Sequence, residues 1–312
     1  MTASKLPPEG YRRIAQGQDI ILVGRDTLSP IAMDDQGQWT RWRRDADSWP
    51  TRWGVNQILE EQLGVRWLWP GDLGTHVPAH ASLMIPADEV NYQPRLLTRT
   101  AGIGSSGVLA PGEGKLAREA YEWAINHQYA GMDYEKTGQP NLEFNHAFNK
   151  WFDRYGKDHP DWFMPIPEGM TARASHRMKL RFANPEVIEA IAADYIKAGK
   201  PDYYCVAEND GAGFDTSPEI RAWDIPQDLP ERDIWLGRVN LTPRYVKIWN
   251  TIYDRLKEIN PNVTLVAMAY SAYRTPPPVE RPLTARMIIT MVPAYAGDAY
   301  DQWTGWRGAS GN

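Results

Sequence analysis

Apolar and polar positions along the chain change their rhythm near residue 94. Before it, residues 19–24 form a short apolar run closed by Gly24, which predicts a buried strand. Residues 54–64 place Val55, Ile58, Leu59 and Leu63 at helical spacing, with Gly64 as the stop. A strand-like stretch over 65–69 ends at Pro70-Gly71, another strand is expected near 83–85, and 91–94 reads as a linker. Together these elements predict a small α/β domain over 1–92.

Beyond residue 94 strands and helices alternate. Strands are expected at 96–99, 142–144, 179–182, 203–207, 263–270 and 287–292. Helices are expected at 115–128, around 148–155, from 184 to about 198, and from 242 to about 259. Asn184 followed by Pro185 gives one of them a cap and a first helical residue of suitable type. Such alternation implies a parallel sheet with right-handed crossovers. A closed barrel of this kind uses eight strands. Residues 93–312 are therefore expected to form a (β/α)8 TIM-type barrel, α/β in class, incomplete after about six strands. Open sheet edges on such a piece would favour aggregation.

Composition narrows the function classes. Apolar residues make up 42% and charged residues 23% of 312, as in an ordinary globular chain. A net charge of -5, with no basic run longer than Arg41-Trp42-Arg43-Arg44, gives no footprint for nucleic acid. No apolar run approaches the roughly 18 residues of a membrane span. A single cysteine, Cys205, excludes an internal disulfide framework and a Cys-rich metal site. Fourteen Trp and fifteen Tyr against six Phe is a skewed aromatic set, suited to stacking on the C–H face of a sugar and equally to core packing.

Candidate chemistry concentrates where barrel strands end. Glu208-Asn209-Asp210 follows the strand expected at 203–207, and glycosidic cleavage needs two such carboxylates. The same tripeptide with Gly211 also reads as a turn in which Asp210 bonds its own backbone. Arg99 and Tyr270 end other expected strands and His146 and Tyr295 follow two more, where each can meet a substrate group or serve packing. Trp303 and Trp306 fall in an expected loop on the open side, placed to stack on sugar. His76 and His80 are four apart but separated by Pro78, so no helix aligns them for a metal. Residues 102–107 mimic a dinucleotide fingerprint without the acidic residue that should follow. No nucleophile elbow is present. Neither a metal nor another cofactor is expected.

Four segments carry a resemblance: residues 59–71, residues 146–163, Asn184-Pro185-Glu186-Val187 leading to 207–211, and Ala269-Tyr270 followed by 273–277. Their order and spacing resemble the domain-of-unknown-function 4838 family, part of which is classed as glycoside hydrolase family 163. The N-terminal part is similar to the domain preceding the barrel in α-glucuronidases and hexosaminidases. The resemblance implies a hydrolase of glycans or polysaccharides, N-acetyl-β-glucosaminidase-like, retaining configuration with help from the substrate's own acetamido group. Asn209 and Asp210 would then orient the acetamido group and supply the acid, with Glu208 as second carboxylate and the choice of acid open. An α-glucuronidase-like hydrolase using Arg99 against a uronate, and a carbohydrate-binding barrel without catalysis, are the alternatives. Work on external glycans implies an extracellular or periplasmic site. Many relatives carry closely spaced cysteines in the loop after the Asn-Asp pair; here 214–219 has none.

Overall fold

Tyr11, Arg13 and Ala15 face inward along β1 (Tyr11–Gln16), which pairs antiparallel with β2 (Asp19–Gly24) through a turn at Gly17. Gly17 has φ +64°, the left-handed conformation that a two-residue hairpin turn demands. Residues described in this computed structural model are 2–26, 48–82, 84–95, 115–128, 142, 145–292 and 299–309. They divide into two compact units, 1–141 and 142–312.

In the first unit α1 (Pro50–Leu63) lies on the hairpin, starting at Pro50 and ending where the Gly64 N–H bonds the Leu59 carbonyl. It begins four residues before the apolar spacing does. Gly54 allows the close approach: a Cβ there would stand 2.4 Å from Leu22 Cδ1. β3 (Arg66–Trp67) pairs with β4 (Thr75–His76), and β5 (Glu89–Tyr92) pairs with β1 to give the order β2-β1-β5. Two expectations change here. The strand at 19–24 exposes Ile20 and Ile21 rather than burying them. The closing strand is Glu89–Tyr92, not 83–85, and occupies part of the expected linker. β1 escapes the period because its inward Arg13 looks polar; Asp88 holds that guanidinium with both carboxylate oxygens, at 2.8 and 2.9 Å. α2 (Lys115–Asn126) also belongs to this unit, since Trp53 Nε1 donates to the Ile125 carbonyl at 2.9 Å. The hydrophobic pattern alone places the boundary at 92/93.

The second unit runs through α3 (Trp151–Tyr155), α4 (Pro185–Lys197), β6 (Tyr203–Cys205), α5 (Pro218–Arg221), α6 (Glu231–Leu236), α7 (Thr242–Lys257), β7 (Thr264–Ala269), β8 (Met287–Met291) and α8 (Ala299–Ala309). β6, β7 and β8 form a parallel sheet in that order, as the alternation predicts. Val187, Ile191 and Tyr195 of α4, Val246, Trp249, Ile252 and Leu256 of α7, and Leu265, Ala267 and Ala269 of β7 make one continuous core. The Asn184 side chain caps α4 by accepting from the Glu186 N–H at 3.0 Å. Asn184→Ala should cost about 1 kcal/mol, read as a lower urea midpoint with unchanged slope.

The chain is thus mixed α/β, with three parallel strands among the described residues. The segment at 179–182 adds no strand to this sheet. It pairs antiparallel with 162–164: Met164 N–H donates to the Lys179 carbonyl at 3.0 Å and Arg181 N–H to the Trp162 carbonyl at 2.8 Å. The expected strand at 96–99, and residues 143–144 of the one at 142–144, lie outside the described residues.

Candidate active site

Past Cys205 the chain leaves the C-terminal edge of the parallel sheet, with Val206 N–H still bonded to the Val266 carbonyl at 2.8 Å. Open parallel sheets place reacting groups at this edge because the loops there are free to carry side chains. Glu208, Asn209 and Asp210 follow at once, and Tyr270 leaves the neighbouring β7 at the same edge. The Tyr270 hydroxyl donates to Asp210 Oδ1 at 2.7 Å. Arg177 stands 3.5 Å from Asp210 Oδ2. His146 Nδ1 lies 2.6 Å from the Glu208 carbonyl, so that nitrogen carries the proton and donates. Four of the expected residues, Glu208, Asp210, His146 and Tyr270, therefore converge, with Asn209 beneath them.

The two carboxylates live in opposite environments. Glu208 is 3% exposed, and its carboxylate accepts from the Asn209 N–H at 2.8 Å. The Tyr245 hydroxyl is a longer neighbour at 3.5 Å. Burial pushes the Glu208 carboxyl up to about 7, against the pull of Lys179 and these hydrogen bonds. Asp210, with a side chain 34% exposed, is held below the usual carboxylate range, chiefly by the Tyr270 hydroxyl. The backbone N–H of Gly211 also favours the ionised form of this carboxyl.

Lys179 is buried here, its ammonium bonded to the Asn209 carbonyl and 4.6 Å from the Phe214 ring centroid. Burial lowers its pKa, while Glu208 and Asp210 pull it back up. Tyr245 and Tyr273 stack at 3.7 Å below, both hydroxyls driven far toward the neutral form by burial and by Glu208. Lys179, Tyr245, Tyr273 and Arg177 are the site residues that sequence reasoning missed. Nothing local marks Lys179, because it and Arg181 alternate with Leu180 and Phe182 as polar residues do on a half-exposed strand.

Asn209 is turned into the protein. Its Nδ2 donates to the Met178 carbonyl at 2.7 Å and the Phe148 carbonyl at 3.1 Å. That fixes the amide orientation, because a flip would set oxygen against two carbonyls. Asn209 thus ties the loops together from below. Trp306 lies in α8 rather than a loop, buried, with Nε1 on the Arg274 carbonyl at 2.8 Å and its ring beside Trp249. Trp303 is on the same helix, 46% exposed, with the Arg307 guanidinium over its ring. Neither joins the Glu208–Asp210 cluster through a contact among the described residues. Arg99 and Tyr295 lie outside the described residues. Among those described, no group of three or more His, Cys, Asp or Glu side chains is placed to hold a metal ion. No described helix is long and apolar enough to cross a membrane.

Comparison with known proteins gives one strong result. No curated protein matches the chain. Among solved structures, the alpha-galactosidase from Lactobacillus brevis is similar at 22% identity and a TM-score of 0.24, over 37% of this chain and 14% of that one. A likeness that slight carries no argument about fold or chemistry. A family model, by contrast, matches residues 69–296, which include β6, β7, β8 and every residue of the Glu208–Asp210 cluster. With about three-quarters of its length matched in this way, the chain belongs to the family described as Domain of unknown function (DUF4838).

Proposed function

We propose that this chain hydrolyses O-glycosidic bonds, with Glu208 as the general acid and Asp210 as the ionised partner. The observation that carries the reading is the contrast between two carboxyls two residues apart at the edge of a parallel sheet, Glu208 buried and Asp210 reaching solvent. One is pushed up to about 7 and the other is held low. Glycosidic cleavage needs this division: a proton delivered to the leaving oxygen, and negative charge facing the cation that develops on the sugar. In this reading β6, β7 and β8 are consecutive strands of a (β/α) barrel. Its mouth lies where Asp210, Tyr270, His146 and Arg177 meet.

The finer reading is an N-acetyl-β-glucosaminidase-like activity that retains configuration. Asp210 accepts a hydrogen bond from the acetamido N–H, which turns the acetamido oxygen toward the anomeric carbon. Tyr270, already on Asp210, steadies that carboxylate. Asn209, pinned from below, serves the loop rather than the sugar. The bond broken is between the anomeric carbon and the leaving oxygen. Glu208 gives its proton to that oxygen, and the acetamido oxygen closes on carbon. Water then opens the ring, returning a proton to Glu208.

The test uses p-nitrophenyl N-acetyl-β-glucosaminide and a glycan with internal β-linked N-acetylglucosamine, following released nitrophenol and new reducing ends. Cleavage of either supports the reading. Substrates lacking the N-acetyl group should be cleaved far more slowly. Absence of cleavage of both, in a protein that melts cooperatively, rejects it.

A further inference from the structure

The first unit contains a cavity of about 380 Å³, walled by Trp67, Trp69 and Trp123 together with Asp72, Glu119 and Glu122. That size lies within the roughly 300–1,000 Å³ of ordinary small-molecule sites. Its walls come from β3, the turn after it and α2, all within the same compact unit. We infer that this cavity is a saccharide-binding site, taking one ring of a neutral oligosaccharide against the Trp69 indole and the surrounding carboxylates. It lies apart from the hydrolytic residues in sequence and in compact unit.

The chemistry follows from the lining. An indole offers a flat apolar face to the C–H side of a sugar ring, and carboxylate oxygens accept from its hydroxyls. Trp69 is 55% exposed and lines the cavity. The described lining carries three carboxylates, of which Glu122 is paired with Arg52 at 2.6 Å. Such a wall repels uronate-bearing sugars.

The walls are held in place before any ligand arrives. Trp123 Nε1 donates to the Trp67 carbonyl at 2.8 Å, locking α2 to β3. The Thr75 hydroxyl donates to the Gly71 carbonyl at 3.0 Å, closing the turn that carries Trp69 and Asp72. Gly71 has φ +82°, and a Cβ on it would stand 2.8 Å from Glu119 Oε2. Gly74 would place a Cβ 2.0 Å from the Trp69 carbonyl oxygen. Both glycines are thus required by the shape of this wall. Preorganisation of this kind lowers the cost of binding.

The choice of saccharide probes rests on the proposed hydrolase reading, but the site stands or falls separately. Binding is measured by calorimetry on the full chain carrying Asp210→Asn, so that no probe is consumed. The probes are cellotetraose, N-acetylchitotetraose, tetragalacturonate and choline. One or both neutral tetrasaccharides should bind, and tetragalacturonate should not. Adding Trp69→Ala or Glu119→Gln should weaken binding at least tenfold, and Trp69→Phe should restore part of it. Adding Tyr270→Phe should leave it unchanged. In the otherwise native chain, Trp69→Ala should leave turnover of a small chromogenic glycoside as it was. The inference is overturned if neither neutral tetrasaccharide binds, if Trp69→Ala and Glu119→Gln leave affinity intact in a protein with native circular dichroism, or if tetragalacturonate or choline binds better. Hydrolysis without this binding removes the cavity alone; binding without hydrolysis removes the proposed activity alone.

Discussion

Glu208→Gln and Asp210→Asn should each lower turnover by roughly 10²–10⁴-fold, the usual range for losing a general acid–base group. Binding of substrate should change far less, because neither substitution alters the shape of the edge on which Tyr270 and His146 stand. The pH profile separates the two roles. A general acid must be protonated, so activity is present below the Glu208 pKa and is lost as pH rises through about 7. Asp210 must be ionised, and its carboxyl is held below its ordinary range, so the acid limb lies well down the scale. Glu208→Gln should abolish the basic limb along with the rate. A basic limb near 7 that survives in Glu208→Gln would assign it to another group, and full turnover in both variants would take this segment out of the mechanism.

Glu208-Asn209-Asp210 was legible in the sequence because a polar triplet follows directly on the apolar run at 203–207, and the strand above it needs no tertiary partner to be recognised. The same is true of α4, whose Asn184-Pro185 start is local chemistry, and of β7, apolar from Leu265 to Ala269 because it lies between two strands. What stayed hidden depends on distant partners. Lys179 looks like a solvent-facing lysine until the chain brings the Asn209 carbonyl against its ammonium. Tyr245 sits at helical spacing with other core residues, so nothing local separates a tyrosine beneath Glu208 from one that merely fills space. Trp306 shows the converse: an aromatic read as a sugar platform packs on Trp249 because α8 forms where a loop was expected. Arg13 hides a whole strand by placing a guanidinium where the period calls for an apolar side chain, paired through one terminal nitrogen with Asp88, 75 residues away.

The largest effect on stability should come from Asp224→Asn, far from any substrate. Arg244 on α7 and Asp224 are both almost fully buried, joined at 2.8 Å through Nε and 2.6 Å through one terminal nitrogen. The other terminal nitrogen donates to the Asp215 carbonyl at 2.6 Å, which ties the loop following Asp210 to α7. Removing the negative partner leaves a guanidinium without countercharge in a dry interior, which costs about 3–5 kcal/mol. Against a total of roughly 5–15 kcal/mol for a folded domain, that leaves little reserve. The urea midpoint should fall sharply with the slope unchanged, since the loss is of an interaction and not of compactness. Replacing the pair together, Arg244→Met with Asp224→Leu, should recover most of the stability because no charge is then stranded. The Asp215 carbonyl would still lack its donor, so the double variant should melt near the native midpoint yet turn over substrate more slowly. A loss under about 1 kcal/mol in Asp224→Asn, the scale of an exposed ion pair, would mean that water reaches Arg244 and that this buried clasp does not hold the site loop.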